Sequence, residues 1–464
     1  MQTPASTRHA RIAASYARQI EAQLLPPGSR LPSVRACART HGVNPQTVVA
    51  AYDLLQARGL VESRPKRGFF VRAPRAAAPA APTRPPAPPT DTTALVRGMF
   101  AQMHGALRGM PGAGTLPEEW LRTPALAQAL RRLLRSGELD AVSLGYGHPQ
   151  GDPVLRQALA RHLAEADVRV VPQQLLSVLG ATQALDLIAR TFARPGDAVM
   201  VESPGWAAQF AQLAQAGLQL LPVPRGADGP DLDRVAHWAR SRAPRLLVIV
   251  SRLHNPTGAS LHAHHAHRLL QLARTHGFVI VEDDVYGALC DAPSTLLATM
   301  DGLEQTLYIG GFSKLLVPGW RVGFVAGSTE RIERLTDAKL LAGLTSPALG
   351  ERGCAELLGD GTLRRVAASL RARLAPARRQ AVELALQHGC RLDAPAQGMF
   401  GWLDTGVDAD ALARRMFDRG WLLAPGRLFD PLGGPSTRMR INFAHARDAG
   451  FWGQLAAARA ELGA

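Results

Sequence analysis

Gly310-Gly311-Phe312-Ser313-Lys314-Leu315-Leu316-Val317-Pro318-Gly319-Trp320-Arg321 holds one of only three lysines in a chain of 464 residues that carries 53 Lys and Arg together. A sequence that writes arginine almost wherever a cation is wanted makes a retained lysine informative. Only an ammonium can lose its proton and attack a carbonyl; guanidinium stays charged. Lys314 is therefore the candidate Schiff-base lysine, and the residues around it decide what it attacks. The other two lysines are Lys66 and Lys339.

Working outward, short β-like runs at 176–180, 198–201, 246–251, 278–282, 306–309 and 322–326 alternate with helical patterns. That alternation predicts an α/β domain with a largely parallel sheet and a ligand at the strand ends. The chemically able residues fall at those ends. Asp283 closes one run, with Tyr286 three residues on, and Asn255 lies in His254-Asn255-Pro256-Thr257-Gly258 after another. Trp206 stands in Glu202-Ser203-Pro204-Gly205-Trp206, and Gly180-Ala181-Thr182 opens a helix whose N-terminal amides suit a phosphate. Arg321 can complete that anion site. An amine, a carboxylate for a pyridine nitrogen, two donors for a phenolic oxygen, an aromatic to stack and a phosphate cradle are what pyridoxal phosphate asks of a protein.

The chain is too long for one ordinary core, and 46% hydrophobic with 20% charged residues is a globular composition, so two or three domains are expected. From 73 to 90 the sequence APRAAAPAAPTRPPAPPT has no apolar period and reads as an extended tether. It separates a basic N-terminal unit from a larger one. Twelve Lys and Arg against three acidic residues in the first 75 positions give that segment +9 of the chain's +15, which points to a polyanion partner. Four scattered cysteines argue against a disulfide framework. With no apolar run of signal-peptide or membrane-spanning type, the expectation is a cytoplasmic protein with no membrane partner. His262, His264, His265 and His267 cluster on an expected surface helix without a nearby cysteine or dedicated carboxylate, so no metal is expected.

The N-terminal unit reads as three helices and a β-wing. Ile12, Tyr16, Ile20 and Leu24 share a helical face between about 11 and 25. Ser33 can cap a second helix, and Asn44-Pro45 is a cap followed by a first-turn proline for a third. Strands at 59–62 and 68–71 would put Arg64, Lys66 and Arg67 at the wing tip, near phosphates. The run Pro27-Gly28-Ser29-Arg30-Leu31-Pro32-Ser33-Val34-Arg35, then Gly42-Val43-Asn44-Pro45-Gln46-Thr47-Val48 and the wing, resembles the winged helix of GntR-type bacterial repressors over residues 8 to 72. The resemblance implies DNA contacts by Ser33, Arg35, Asn44, Gln46, Thr47 and the wing glycine Gly68. Pro45 stands where many relatives carry a basic residue.

From about residue 98 onward the chain resembles a fold-type I aminotransferase, through Asn255-Pro256-Thr257-Gly258, Asp283-x-x-Tyr286 and Ser313-Lys314 with Pro318-Gly319-x-Arg321. The whole is similar to MocR-type regulators. The implied organisation is a winged helix-turn-helix domain (1–72), a linker (73–97) and an α/β transferase domain (98–464). The last divides into a large subdomain at about 145–345 and a smaller α+β subdomain at about 346–464. The resemblance further implies that Lys314 bears pyridoxal 5'-phosphate, that Asp283 meets the pyridinium, and that Asn255 and Tyr286 hold the phenolic oxygen. Arg440 would grip an effector carboxylate, and Tyr146 would reach a neighbour's phosphate across a homodimer. Gly311 and Leu179 replace hydroxyl residues frequent in relatives at the phosphate. The expected function is a cofactor-dependent regulator that binds an operator duplex and senses an amino compound or the cofactor itself. The alternatives are a working aminotransferase with an accessory DNA module, and a DNA binder with a cofactor-free domain.

Overall fold

The computed structural model describes residues 8–21, 25–64, 67–72, 107–292, 294–393 and 396–463. Leu24, Lys66, the expected tether and the start of the transferase domain at 98 lie outside the described residues. The chain divides into two compact units, one within Met1–Pro88 and one within Pro89–Ala464.

In the first unit, helices α1 (Arg8–Glu21), α2 (Val34–His41) and α3 (Pro45–Ala57) precede a hairpin of β1 (Val61–Arg64) and β2 (Gly68–Val71). Ile12 and Tyr16 bury the inner face of α1 against Val48, Tyr52 and Leu55 of α3. Ser33 Oγ accepts from the Ala36 amide at 3.2 Å and Asn44 Oδ1 from the Gln46 amide at 3.0 Å, so both expected caps form. The wing starts two residues later than the sequence suggests. Gly59, at φ +73°, closes α3, and the Leu60 amide still bonds back to Leu55 O at 3.0 Å. Pairing therefore begins at Val61 and takes Ser63 and Arg64 into the strand, opposite Phe69 and Gly68.

The second unit is built on a seven-stranded sheet of β3 (Leu175–Val178), β4 (Ala198–Ser203), β5 (Gln219–Pro224), β6 (Leu246–Val250), β7 (Val279–Asp283), β8 (Thr306–Gly311) and β9 (Gly323–Ala326), ordered β3-β9-β8-β7-β6-β4-β5. All neighbours from β8 through β5 pair in parallel; β9 alone runs against both of its neighbours. All five residues of β6 are buried, as a strand covered on both faces requires. One apolar layer, under helix Ala181–Phe192, contains Leu185, Ile188, Val248 and Val281; the opposite layer contains Leu247, Ile280, Leu269 and Ala273.

A second, antiparallel sheet of β10 (Arg391–Leu392), β11 (Phe400–Asp404), β12 (Ala424–Pro425) and β13 (Arg438–Asn442), ordered β10-β11-β13-β12, forms the smaller α+β part with helices Ala409–Asp418 and Ala449–Ala460. Residues 107–115 join this sheet although they lie far away in sequence. Gly109 bridges to Trp421, and the Gly112 amide donates to Leu422 O at 2.8 Å. Gly112 is obligatory there, since a Cβ would sit 2.4 Å from the Ala424 nitrogen.

Lys339, another of the three lysines, is buried within the large unit. Its Nζ donates to Ser177 Oγ at 3.4 Å, and Ser177 Oγ in turn donates to Glu351. Glu351 also accepts from the Asp152 amide at 2.7 Å, so the cluster fastens the 145–152 loop to β3. This is a structural post.

Candidate functional site

The parallel strands β6, β7 and β8 end side by side. Each therefore delivers the segment after it to one edge of the sheet: Asn255 beyond β6, Asp283 to Tyr286 at the end of β7, and Lys314 beyond β8. Gly258, at φ +75°, lets the loop after β6 press on β11, where any Cβ would meet Phe400 O at 2.7 Å. That contact brings β13 and its arginine to the same place.

Arg440 is wholly buried. Its Nη1 donates to Asn255 Oδ1 at 2.9 Å and its Nη2 to Gly112 O at 2.6 Å. Three rings enclose the guanidinium: Phe400 at 4.6 Å, Phe429 at 5.1 Å and Trp206 at 5.3 Å. Nε has no hydrogen-bond partner, and no carboxylate pairs with Arg440 among the described residues. A buried cation costs free energy unless paired. Here burial lowers its pKa to about 10. An enclosed guanidinium with an unused donor and no counterion has the chemistry to receive an anion.

Asn255 spends its other end on Tyr286, with Nδ2 donating to the phenol oxygen at 3.2 Å. Burial raises the Tyr286 pKa, so the phenol stays protonated and can donate. Lys314 Nζ lies 5.7 Å from the Tyr286 ring centre and donates to Gly114 O at 2.9 Å. Burial, then the nearby Arg440 and Arg321 cations, bring its pKa down to about 8, against the pull of Asp283. Asp283 is raised to about 6, chiefly by burial, while the Val285 amide at 3.2 Å and Lys314 oppose the shift. At neutral pH the pair is thus a carboxylate beside an amine with a substantial neutral fraction, the state a carbonyl-attacking lysine needs.

A second group is suited to an anion. Gly180, at φ +79°, caps helix Ala181–Phe192, so Ala181 and Thr182 open it. Arg321 donates to Leu179 O at 3.1 Å and lies where a Cβ on Gly180 would be only 2.7 Å from its Nη2. Gly323 packs on Gly180, where a Cβ on Gly323 would stand 2.7 Å from the Gly180 Cα. Amides at a helix start with an arginine over them favour a phosphate. Gly311, by contrast, could carry a Cβ at ordinary contact distance, 3.7 Å from the Gly323 Cα and from Val322 O.

The structure thus brings Lys314, Asp283, Tyr286, Asn255, Trp206 and Arg440 together and sets Gly180, Ala181, Thr182 and Arg321 beside them. Tyr146 is not brought in: it is 87% exposed on the chain's own surface. In the winged helix, Arg35, Asn44, Gln46, Arg64 and Arg67 are exposed and Thr47 is half-buried. Arg64 pairs with Glu62 at 2.8 Å and lies over Phe70 at 4.7 Å. Gly68, at φ +101°, needs to be glycine on backbone grounds, and the Arg30 side chain runs beside it.

Sequence reasoning missed the support behind Asn255. Arg225, beyond β5, is fully buried and donates Nη1 to Glu202 Oε1 and to Val250 O at 2.9 Å. Glu202 Oε2 accepts from the Val250 amide at 2.8 Å and lies 3.5 Å from His254 Nε2. Burial and Arg225 hold the His254 pKa well below its usual value, so the ring is neutral. These residues are too far apart in sequence for any spacing rule to unite them. Arg225→Met strands Glu202 as an unpaired buried charge and should cost about 3–5 kcal/mol. Urea unfolding measures this; Glu202→Gln added to Arg225→Met should recover part of the loss.

Comparison with known proteins matches residues 112–450 to aminotransferase class I and II and residues 9–71 to the gntR family of bacterial regulatory proteins. The HTH-type transcriptional regulator YisV of Bacillus subtilis is 28% identical over 91% of this chain and 89% of its own length. The probable rhizopine catabolism regulatory protein MocR of Rhizobium meliloti is 29% identical over 68% of this chain and 64% of its own. The crystal structure of LysN, the alpha-aminoadipate aminotransferase of Thermus thermophilus, complexed with N-(5'-phosphopyridoxyl)-L-leucine, superposes with a TM-score of 0.71. It is 28% identical and covers 78% of this chain and 95% of that one.

Proposed function

Since the chain belongs to the aminotransferase class I and II family and carries a gntR-family winged helix before it, we propose that it is a pyridoxal-phosphate-dependent transcriptional regulator of MocR type. The winged helix binds duplex DNA and the transferase-like domain binds the cofactor and a small amino compound. The observation that carries this reading is one chain holding both a full set of cofactor-suited groups at the strand ends and a DNA-binding module.

The residues fit the cofactor on their own geometry: Gly180 leaves the cradle that a Cβ would fill, and Arg440 keeps a buried donor without a partner. When bound, pyridoxal phosphate supplies an aldehyde for an amine and an electron sink. Lys314 would take the aldehyde, Asp283 would hold a proton on the pyridine nitrogen, and Asn255 and Tyr286 would bind the phenolic oxygen. Trp206 would supply an aromatic face for the ring, and Gly180, Ala181, Thr182 and Arg321 would take the phosphate. Arg440 binds the effector's carboxylate, so the effector is an amine that bears one. The reading places the domains at 1–72 and 98–464, joined by 73–97; the matches over 9–71 and 112–450 lie within them.

A second copy of the chain completes the phosphate site through Tyr146. Supporting this, Tyr146 (87%) and its near neighbour in sequence Leu144 (82%) are exposed on a single chain and accessible to a second copy. No helix among the described residues is long and apolar enough to cross a membrane. A DNA-binding regulator works in the cytoplasm.

In the winged helix, Arg35 is exposed on α2, and Ser33, Asn44, Gln46, Thr47, Arg64, Lys66, Arg67 and Gly68 complete the proposed DNA surface. Arg35→Ala should weaken binding to duplexes selected from a random pool by the full-length protein by about 1–3 kcal/mol. Cofactor capture should be unchanged. Equal loss of both functions would contradict a separate DNA site. Steady turnover of an amino acid with a keto acid would instead favour the aminotransferase reading.

A further inference from the structure

Two backbone carbonyls already occupy the groups that cofactor and effector are to use. Gly114 O accepts from Lys314 Nζ at 2.9 Å, and Gly112 O accepts from Arg440 Nη2 at 2.6 Å. Both belong to one strap, Pro111-Gly112-Ala113-Gly114-Thr115. We propose that this strap is a built-in occupant of the effector site, and that its loosening from Lys314 and Arg440 carries the binding signal to the DNA-binding part of the chain. The proposal rests on the function given above.

The strap is held by a dedicated residue. Asn442 is fully buried at the end of β13, and its Nδ2 donates to Ala113 O at 3.0 Å and Thr115 O at 2.8 Å. Its amide donates to Pro111 O at 2.7 Å, and His445 Nε2 lies 3.1 Å from Thr115 O. Asn442 thus anchors the strap beside Arg440, and the Lys314 and Arg440 contacts add to that anchorage. Gly112 and Gly114 carry no side chains into the site; a Cβ on Gly114 would stand 3.5 Å from Arg440 Nη2.

The two carbonyl contacts are the replaceable ones. A neutral carbonyl is a weaker partner for a buried cation than a carboxylate is. When Lys314 condenses with an aldehyde, a C=N bond forms and the amine's two hydrogens leave with the aldehyde oxygen as water. The nitrogen keeps at most one hydrogen, fixed in the plane of the new double bond, and the free-amine contact to Gly114 is lost. A carboxylate arriving at Arg440 then competes with Gly112 O. A ligand shifts an equilibrium only through differential contacts, and these two hydrogen bonds are such contacts.

Covalent continuity supplies the output. The strap and residues 107–109, which bond to Gly420 and Leu422, are the described part of this unit nearest in sequence to the winged helix, so loosening of the strap weakens the anchorage at that end of the unit.

The test is amide hydrogen exchange of residues 107–116 in the full-length protein, with operator affinity measured on the same samples. Protection here reports the Gly112 to Leu422 and Arg108 to Gly420 backbone bonds. Addition of pyridoxal phosphate should raise exchange in the strap by about tenfold, the size expected for losing one hydrogen bond to a charged group. Lys314→Met, without cofactor, should match cofactor-loaded wild type in both strap exchange and DNA affinity. Asn442→Ala, which frees the strap with Lys314 intact, should shift DNA affinity in the same direction. Unchanged strap exchange in a protein whose Lys314 adduct is seen by mass overturns the strap while leaving the cofactor reading intact. A missing adduct overturns that reading itself. Altered strap exchange with unaltered DNA affinity overturns the strap as transmitter.

Discussion

Lys314→Arg should abolish covalent capture of pyridoxal phosphate outright, although charge and approximate size are retained, because guanidinium cannot lose the proton that attack requires. In the native chain the capture rate should climb about tenfold from pH 6 to 7 and level off above pH 8, following the neutral amine. With the pKa at about 8, roughly one molecule in ten is neutral at pH 7, against about one in 3,000 for an ordinary lysine. Burial, helped by the cations Arg440 and Arg321, thus contributes about a 300-fold gain in reactive amine. Stopped-flow absorbance at the cofactor band measures it. The sign for stability follows from the same shift. Between about pH 8 and 10.5 the unfolded chain binds a proton that the folded chain has lost at Lys314, so this group makes the cofactor-free fold more stable as pH rises through that window. A rate still climbing through pH 10 would mean that the amine is not depressed.

Arg440→Ala should cost a carboxylate-bearing amine about 2–5 kcal/mol of affinity, or some 30-fold to several thousandfold, because the fork that receives the anion is removed from a buried site. An amine of the same skeleton without its carboxylate should lose little. That pairing separates recognition from misfolding. Arg440→Lys should not rescue, since an ammonium presents no planar fork between Phe400, Phe429 and Trp206 and cannot serve Asn255 and Gly112 at once. Titration of the cofactor spectrum with the two amines decides the matter. Equal losses for both would mean that Arg440 is structural.

Much of this site is legible in the sequence because its chemistry sits at strand ends. A run such as Leu246 to Val250 announces a buried strand, so the polar residues that follow it are assigned to a strand end from their position alone. Lys314 stands out by contrast with an arginine-rich chain. The same contrast draws attention to Lys339, which is a post under the 145–152 loop. Composition finds unusual residues without assigning them roles. Local turn chemistry misplaces the first wing strand: Gly59 reads as its beginning and is the end of α3.

What could not be read depends on contacts between distant segments. Glu202, Arg225 and His254 meet only because β4, β5 and β6 are neighbours in the sheet. Pro111 to Thr115 has the composition of an ordinary turn. Nothing local says that its carbonyls reach residues some 200 and 328 positions away. Sequence periodicity reports which face of an element is buried, and hydrogen bonds made by a loop's backbone leave no such trace.

The most direct measurement is peptide mapping by mass spectrometry after the purified full-length protein is incubated with pyridoxal phosphate and reduced with borohydride. The adduct should appear on the peptide that contains Lys314, in near-stoichiometric yield, with Lys66 and Lys339 unmodified. An unmodified Lys314 under those conditions would contradict the account.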